Sequence, residues 1–266
     1  LNPPPLAPSS PPSQEPEPNH EEADTYLQPW GDRPAMIEPG KVLRVLYQNV
    51  SHSMSTRGDD PGLPHLVENL VAAQCGVAIC SATNVNWRRL QFTNEVRTQL
   101  QEGGTIHMST TCSSMGDTNE FKHRRYLPGG AALFTFNHWG CTVVESGNDF
   151  FDCGWWCYTT LQGKNKVKLT LVGFYRSNKP VPGGGPTTAH AQAMQALESS
   201  KLKSNKELKR VVIPREEMNN HIGNKITEWQ QRGDSILICG DGNETPTDCT
   251  LKEGFRRFSM SWLFQE

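Results

Sequence analysis

The chain has 266 residues, a formal net charge of -2 and an ordinary hydrophobic content of 35%. Its length allows one large domain or two small ones. No stretch approaches the roughly 18 consecutive apolar residues of a membrane span, so the sequence predicts a soluble protein. The charge excludes a global attraction for nucleic acid, and any such binding must come from local basic patches.

Residues 1–40 form a region with its own composition. They include eleven of the nineteen prolines, mixed with Ser, Glu, Asn and Gln, and almost no β-branched residues. Such a segment cannot bury enough apolar surface to offset the entropy lost on ordering, and proline blocks both helix and sheet pairing. We interpret it as a disordered tail or interdomain linker. A polyproline ligand for a protein partner is the alternative. No apolar segment typical of a secretory signal follows Leu1.

Regular patterns begin after Gly40. They predict, in chain order, a strand at 42–50, a helix at 63–74, a strand at 77–80 and a helix at 86–101 that ends before two glycines. The middle of the chain predicts strands at 105–109, 131–136, 142–145, 155–161 and 166–175, with a hairpin turn at 162–165. Helices at 188–200 and 216–232 then precede a strand at 235–240. This order predicts an α/β fold with two packed mixed β-sheets flanked by helices.

Three polar clusters come directly after predicted strands: Gln48-Asn49, the segment 175–178 and the segment 240–244. Ligand sites collect at strand ends because the rigid strand fixes side chains that face an open crevice. Asp241 and Asn243 project to the same side of an extended backbone, and a carboxylate beside a carboxamide can hold a divalent ion or orient a water molecule. Each cluster alone is also typical of an ordinary turn, so the interpretation depends on their order.

That order resembles the endonuclease/exonuclease/phosphatase superfamily, which includes apurinic endonucleases, DNase I and the endonuclease domains of non-LTR retrotransposons. The resemblance covers Leu43 to about Glu244. Its motifs are Ala82-Thr83-Asn84-Val85-Asn86-Trp87, Thr187 or Thr188 with Gln192 and Leu197, Pro214-Arg215, Trp229, and Gly240-Asp241-Gly242-Asn243-Glu244. It implies a four-layer, DNase I-like α/β sandwich at residues 41–266 and the activity of a magnesium-dependent phosphodiesterase or nuclease.

The resemblance also implies roles for five residues. Asn49 matches the asparagine that helps to orient the metal site, and Asp241 matches the aspartate that activates or orients the attacking water. Tyr175 matches the tyrosine that hydrogen-bonds the scissile phosphate, with Asn178 as its support, and Asn243 matches the residue that contacts a phosphate oxygen. In such a site the metal offsets developing negative charge while neutral donors hold the non-bridging oxygens. Asn49 and Asp241 are therefore the implied ligands of Mg²⁺.

Two departures from the family pattern imply that catalysis is lost. The metal-binding glutamate aligns with Ala82, which has no oxygen donor, and Mg²⁺ requires oxygen ligands. The family's final Asp-His pair has no counterpart after Asn243, because the last histidine is His221 and the sequence given ends at Glu266. We therefore expect weak or absent magnesium binding, an inactive site and the absence of the last strands. The alternatives are a non-catalytic module that binds nucleic acid or protein, and an enzyme completed from outside this chain.

Two basic clusters are candidate contacts for DNA or RNA. One contains Arg88 and Arg89 next to Trp87, and the other contains Lys122, Arg124 and Arg125. Both could meet a phosphate backbone, with an ordinary solvated surface as the alternative. The eight cysteines show no CxxC pair, which favours reduced thiols and an intracellular location over disulfides or zinc.

Overall fold

The computed structural model describes residues 41–51, 54, 62–102, 108–114, 126–180, 183–203, 213–244, 250–258 and 260. All of them belong to the unit Glu38–Glu266. The predicted tail at residues 1–40 lies outside the described residues, and its disorder stays a prediction.

The described strands form two four-stranded sheets. They are β1 (Val45–Asn49), β2 (Val77–Ser81), β3 (Met108–Ser113), β4 (Ala131–Phe136), β5 (Val143–Asn148), β6 (Trp156–Gln162), β7 (Lys168–Tyr175) and β8 (Ser235–Asp241). The strand orders are β1-β2-β4-β3 and β5-β6-β7-β8. The pairs β1–β2 and β7–β8 are parallel and the other pairs are antiparallel. Both sheets are therefore mixed, as predicted.

Helices cover the outer face of each sheet. In chain order they are α1 (Gly62–Ala72), α2 (Leu90–Glu102), the short α3 (Asn137–Gly140), α4 (Ala189–Lys203), α5 (Pro214–Gln231) and α6 (Thr250–Arg256). Leucines of α1 and α2 pack with Phe134 of β4 in one core cluster. Apolar side chains of α4, α5 and α6 pack with Trp156 and Val172 of the second sheet in another.

A third core cluster lies between the two sheets. Ile79 and Leu133 of the first sheet meet Cys157 and Leu171 of the second, and all four are fully buried. The order helices, sheet, sheet, helices confirms the predicted four-layer α/β sandwich. Trp155 and Trp156 are also buried, each 1% exposed, as expected for core residues.

Among the element boundaries that differ from the prediction, two have an identifiable cause. Helix α2 begins at Leu90 instead of Asn86, because residues 86–89 form a turn in which the Arg89 amide donates to the Asn86 carbonyl at 3.1 Å. Strand β3 runs from Met108 to Ser113, beyond the predicted end at Ser109. Most residues of β3 are Ser and Thr, so its sequence shows no alternation of apolar and polar residues. Its limits follow instead from pairing with β4 along its whole length. The short helices α3 and α6 were not predicted.

No helix among the described residues is long and apolar enough to cross a membrane. The seven cysteines in the described ranges are free thiols, whereas Cys249 lies outside those ranges. Burial raises the pKa of the Cys80 thiol to about 12, so that side chain stays protonated and packs as a small apolar group.

Candidate active site

The ends of β1, β7 and β8 meet at one edge of the two sheets. The parallel registers pair Asn49 with Ser81 in the first sheet and Tyr175 with Asp241 in the second. Across the sheets, the Asn49 Nδ2 donates a hydrogen bond of 2.7 Å to Asp241 Oδ2, joining residues 192 positions apart in the chain. The packing of the sheets therefore brings together two side chains that the sequence placed only at separate strand ends.

A cleft of about 580 Å³ opens at this edge. The residues that line it include all five to which the resemblance assigned a role, namely Asn49, Tyr175, Asn178, Asp241 and Asn243. The roles themselves stay proposals, because the structure shows position and not chemistry. Ala82 lines the same cleft.

The carboxylate of Asp241 is held in place by two donors. Its Oδ2 accepts from Asn49, and its Oδ1 accepts the backbone N–H of Asn243 at 2.9 Å. The other end of the Asn49 side chain, Oδ1, accepts the N–H of Ser51 at 3.2 Å. The side-chain amide of Asn243 donates to the carbonyl of Arg176 at 2.5 Å. Such fixed orientations suit a site that binds a polar group without rearrangement.

Tyr175 is half-buried at the wall of the cleft. Burial raises the pKa of its phenol, the charge of Asp241 raises it further, and a hydrogen bond to Asn243 opposes these effects. The hydroxyl is therefore protonated at neutral pH and can donate to a phosphate oxygen. The backbone at Gly129 reaches the Tyr175 ring so closely that a Cβ there would lie 2.6 Å from Cε1, and its φ of +83° also favours glycine.

A buried ionic cluster lies beneath the cleft. The carboxylate of Glu244 binds both Arg176 and Arg215, and the three side chains are 9%, 3% and 7% exposed. Arg215 also donates to the carbonyl oxygen of Ser177 at 2.6 Å. The cluster therefore ties the segment after β7, the segment after β8 and the start of α5 to one another. Glu244 and Arg215 appeared in the sequence only as motif positions, and this positioning role was missed.

The residues that face the cleft do not fit a magnesium site. Asp241 is the one carboxylate among the described residues that line it. Ala82 supplies no donor and is 5% exposed. The described part of the chain also contains no group of three or more His, Cys, Asp or Glu side chains able to hold a metal ion. Mg²⁺ is usually bound through one or two carboxylates with further oxygen ligands, so Asp241 alone is the minimum of that donor set.

His190 is a cleft residue that the sequence analysis did not single out. It lies in the first turn of α4 and lines the cleft, and its Nδ1 has no hydrogen-bond partner among the described residues. Burial lowers the pKa of the imidazole, and the nearby charge of Arg215 lowers it further. In the sequence, the feature that could have identified His190 is its position shortly after Thr187 and Thr188, which belong to a motif of the resemblance.

The predicted basic clusters are only partly described. Arg88 is exposed and forms an ion pair of 2.5 Å with Asp152, whereas Arg89 is half-buried. Neither is among the residues that line the cleft. Lys122, Arg124 and Arg125 lie outside the described residues, so their role stays a prediction. Tyr126, the aromatic residue that follows them, does line the cleft and is 61% exposed.

Comparisons with known proteins identify the fold. No family model matches the chain, and no curated protein sequence matches it either. Its structure is similar to that of the AP endonuclease LMAP from Leishmania major, with 12% identity, 91% of this chain and 74% of that chain covered, and a TM-score of 0.50. It is also similar to the catalytic domain of human Nocturnin (15% identity, 83% and 69% covered, TM-score 0.44). A protein from Leptotrichia buccalis is similar as well (9% identity, 82% and 73% covered, TM-score 0.44).

Proposed function

Because the domain has the DNase I-like fold of the endonuclease/exonuclease/phosphatase superfamily, we propose that it binds a phosphodiester of nucleic acid in its cleft but has lost the ability to hydrolyse it. One observation carries this proposal. Ala82 lines the cleft together with Asn49, Tyr175 and Asp241. The polar groups suited to hold a phosphodiester line the cleft, whereas Asp241 is the single carboxylate among the described residues that line it.

The remaining side chains match the chemistry of phosphate binding. Tyr175 offers a protonated hydroxyl and Asn178 an amide donor, and neither repels an anion. The Asn243 amide donates to the Arg176 carbonyl in this structure. Lys179 adds a cation to the cleft lining. The negative charge of Asp241 is partly offset by the hydrogen bonds that its carboxylate accepts from Asn49 and from the backbone of Asn243. These groups can bind a phosphodiester through its non-bridging oxygens without a metal ion, although more weakly than with one.

Nucleic acid is the substrate class that we favour. The similar Leishmania protein is named an AP endonuclease, and the basic residue Arg88 lies only four positions after Asn84 of the cleft. A phospholipid or inositol phosphate would offer the same phosphodiester or phosphomonoester chemistry, since selectivity on this fold resides in loops. The choice of probe must therefore separate these ligands.

Two assays test the proposal. Fluorescence anisotropy with labelled single-stranded and double-stranded oligonucleotides should show salt-dependent binding. Tyr175→Phe should weaken it by about tenfold to a hundredfold, the loss expected for one hydrogen bond to a charged group. Tyr47→Phe is the control, because Tyr47 of β1 forms a hydrogen bond with Ser81 of β2 and is not among the described residues that line the cleft. Vesicles that contain phosphoinositides should not compete.

A plasmid-nicking assay with Mg²⁺ should show no cleavage above background. Robust metal-dependent nicking that Asp241→Ala abolishes would show that the domain is an active nuclease and would overturn the proposed loss of catalysis. Failure to bind either oligonucleotide would overturn the proposed nucleic-acid ligand.

A further inference from the structure

A second pocket lies on the outer face of the edge strand β3. Its volume is about 340 Å³, and it lies between β3, helix α2 and the segment that joins β5 to β6. We call it the flanking pocket. The side chains that define its chemistry are Arg88, Arg97, Thr110, Ser114, Asn148 and Asp152.

The alternation of β3 explains why this pocket is polar. Side chains of a strand point to opposite faces in turn. Thr111 and Ser113 face the second sheet, where they bind Thr159 and Asp149. Thr110 and Ser114 therefore face the other way, towards α2, and both line the pocket. On α2, Thr93 and Arg97 are four residues apart and so share the face that completes the wall.

Two buried hydroxyls in this pocket have no hydrogen-bond partner among the described residues. They are the Oγ1 of Thr110 and the Oγ of Ser114, and Ser114 is only 6% exposed. A buried hydroxyl without a partner costs free energy comparable to a lost hydrogen bond, so native proteins seldom leave one unsatisfied. A bound ligand that accepts hydrogen bonds would satisfy both.

The charges of the pocket indicate the sign of that ligand. Arg88 and Arg97 contribute two positive charges, and Asp152 contributes one negative charge. Arg88 is paired with Asp152, whereas Arg97 forms no ion pair within the described part of the chain. The net charge of these three groups is thus +1, and every other polar group can donate a hydrogen bond. Such a combination suits an anion with several acceptor oxygens, for which a phosphate is the common biological example.

The pocket is close to the cleft along the chain. The segment after β2 contributes Ala82 and Asn84 to the cleft and Trp87 and Arg88 to the flanking pocket. The Trp87 Nε1 donates to Thr83 Oγ1 at 3.0 Å, which fixes the two parts of the segment to each other. Four residues span at most about 14 Å even when fully extended. That reach equals about four base-pair steps of 3.4 Å along the axis of a B-form duplex, and fewer steps of an extended single strand.

We propose that the flanking pocket binds a backbone phosphate of the nucleic-acid strand whose phosphodiester occupies the cleft. This inference rests on the function proposed above. The pocket would extend the contact beyond one phosphodiester and would fix the direction in which the strand leaves the cleft. Arg97 and the hydroxyl of Ser114 would contact the phosphate directly. Asp152 would limit the affinity by competing for Arg88.

The test uses the full chain with a fluorescein-labelled thymidine dinucleotide, which has a single phosphodiester, and an oligothymidylate of about 12 nucleotides, with affinities from anisotropy. The short probe fills only the cleft, and the long one can reach both sites. Arg97→Gln and Ser114→Ala should each weaken binding of the long probe by about fivefold and leave the short probe unchanged. Arg97→Gln should also make the fall of the logarithm of the association constant with the logarithm of salt concentration less steep. The magnitude of that slope should decrease by about 0.7, the value expected for one lost phosphate contact on a single strand.

Asp152→Asn should strengthen binding, in contrast to the two substitutions above. It removes the charge that pairs with Arg88, so the long probe should bind about threefold more tightly. Asp152 has a φ of +54°, a conformation that asparagine adopts readily, so the fold should tolerate the change. Lys164→Gln is the matched control for charge loss, because Lys164 lies in the β6–β7 turn at the opposite end of the sheet. Melting temperatures of all variants identify any that fail to fold.

The outcomes separate this inference from the proposed function. If Tyr175→Phe weakens both probes while Arg97→Gln and Ser114→Ala behave like Lys164→Gln, the flanking pocket binds no phosphate and the function of the cleft stands. If Arg97→Gln weakens the long probe while Tyr175→Phe affects neither, the pocket binds nucleic acid and the proposed role of the cleft is wrong. Absence of binding by both probes overturns both.

Discussion

Ala82 lies in the cleft at the position where the resemblance implies a metal-binding glutamate. Its backbone has a φ of +53°, in the left-handed region that costs any residue with a Cβ about 1–2 kcal/mol. Alanine already bears that cost, so a longer side chain at this position adds no new backbone strain. The side chain lines the cleft and is 5% exposed.

We therefore predict that Ala82→Glu raises the affinity for Mg²⁺ by at least about tenfold, because it adds a second hard carboxylate beside Asp241. Isothermal titration calorimetry measures the change. Ala82→Gln is the matched control, since it has the same shape and one oxygen but no charge. If the glutamate variant binds no more Mg²⁺ than the original chain, Ala82 does not occupy the ligand position, and a non-catalytic binding module becomes the leading interpretation.

His190 and His221 make the stability of the domain depend on pH. Burial lowers the pKa of both imidazoles, and Arg215 lowers that of His190 further while Glu217 opposes the shift at His221. The unfolded chain therefore binds protons at a higher pH than the folded domain does. Stability must decrease as the pH falls below the ordinary histidine value of about 6.5 and through the lowered pKa of the folded state.

We predict that the free energy of unfolding, measured by urea denaturation, is smaller at pH 5 than at pH 7.5. His190→Gln should reduce that difference, because the substituted side chain does not titrate. His138→Gln, at an exposed position of α3, is the control and should leave the difference unchanged. An equal pH dependence in the original chain and the His190 variant would show that His190 is not the group responsible.

At the scale of the elements, the cleft depends on how the ends of β7, β8 and α5 are joined. Glu244, Arg176 and Arg215 form the buried cluster that joins them, and Glu244 also accepts the N–H of Leu251 on α6 at 3.0 Å. Removing one partner of a buried ionic cluster leaves a charge without compensation, which is far more costly than breaking a surface pair.

We predict that Glu244→Gln lowers the free energy of unfolding by about 3–5 kcal/mol. Binding of oligonucleotides should weaken as well, because Arg215 also donates to the carbonyl oxygen of Asn243. Glu228→Gln is the control: this residue pairs with Lys225 at 2.7 Å on an exposed face of α5, and its loss should cost less than about 1 kcal/mol. Similar losses for the two variants would contradict the proposed positioning role of the cluster.

At the scale of the whole molecule, the hydrophobic core of the described residues belongs to one domain. The three core clusters and the side chains packed against them extend from Leu43 to Met260. A proline-rich region of the composition found at residues 1–40 offers little apolar surface to such a core.

Deletion of residues 1–40 should therefore change the melting temperature of the domain by less than about 2 °C. Differential scanning fluorimetry of the full and shortened chains measures this. A decrease of about 4 °C or more would correspond to roughly 1 kcal/mol or more of lost stability for a domain of this size. It would show that the region packs on the domain and would contradict our interpretation of it as a tail or linker.

The sequence alone determined the elements whose patterns are local. Strands β2, β4 and β8 are short apolar runs, and the hydrophobic effect selects such runs for burial whatever their partners are. The polar residues after β1, β7 and β8 also followed from the sequence, as did Ala82 in place of a carboxylate. The order of these motifs was sufficient to predict the two-sheet sandwich.

Only the tertiary structure decided what depends on contacts between distant parts of the chain. Strand β3 is polar, and pairing with β4 defines its limits. The bond between Asn49 and Asp241 joins residues 192 positions apart, and the flanking pocket combines side chains of α2, β3 and the β5–β6 segment. Local periodicity determines which residues are buried and which face outward. Distances between remote side chains arise only when the two sheets and their helices pack, because close packing selects one arrangement of the layers.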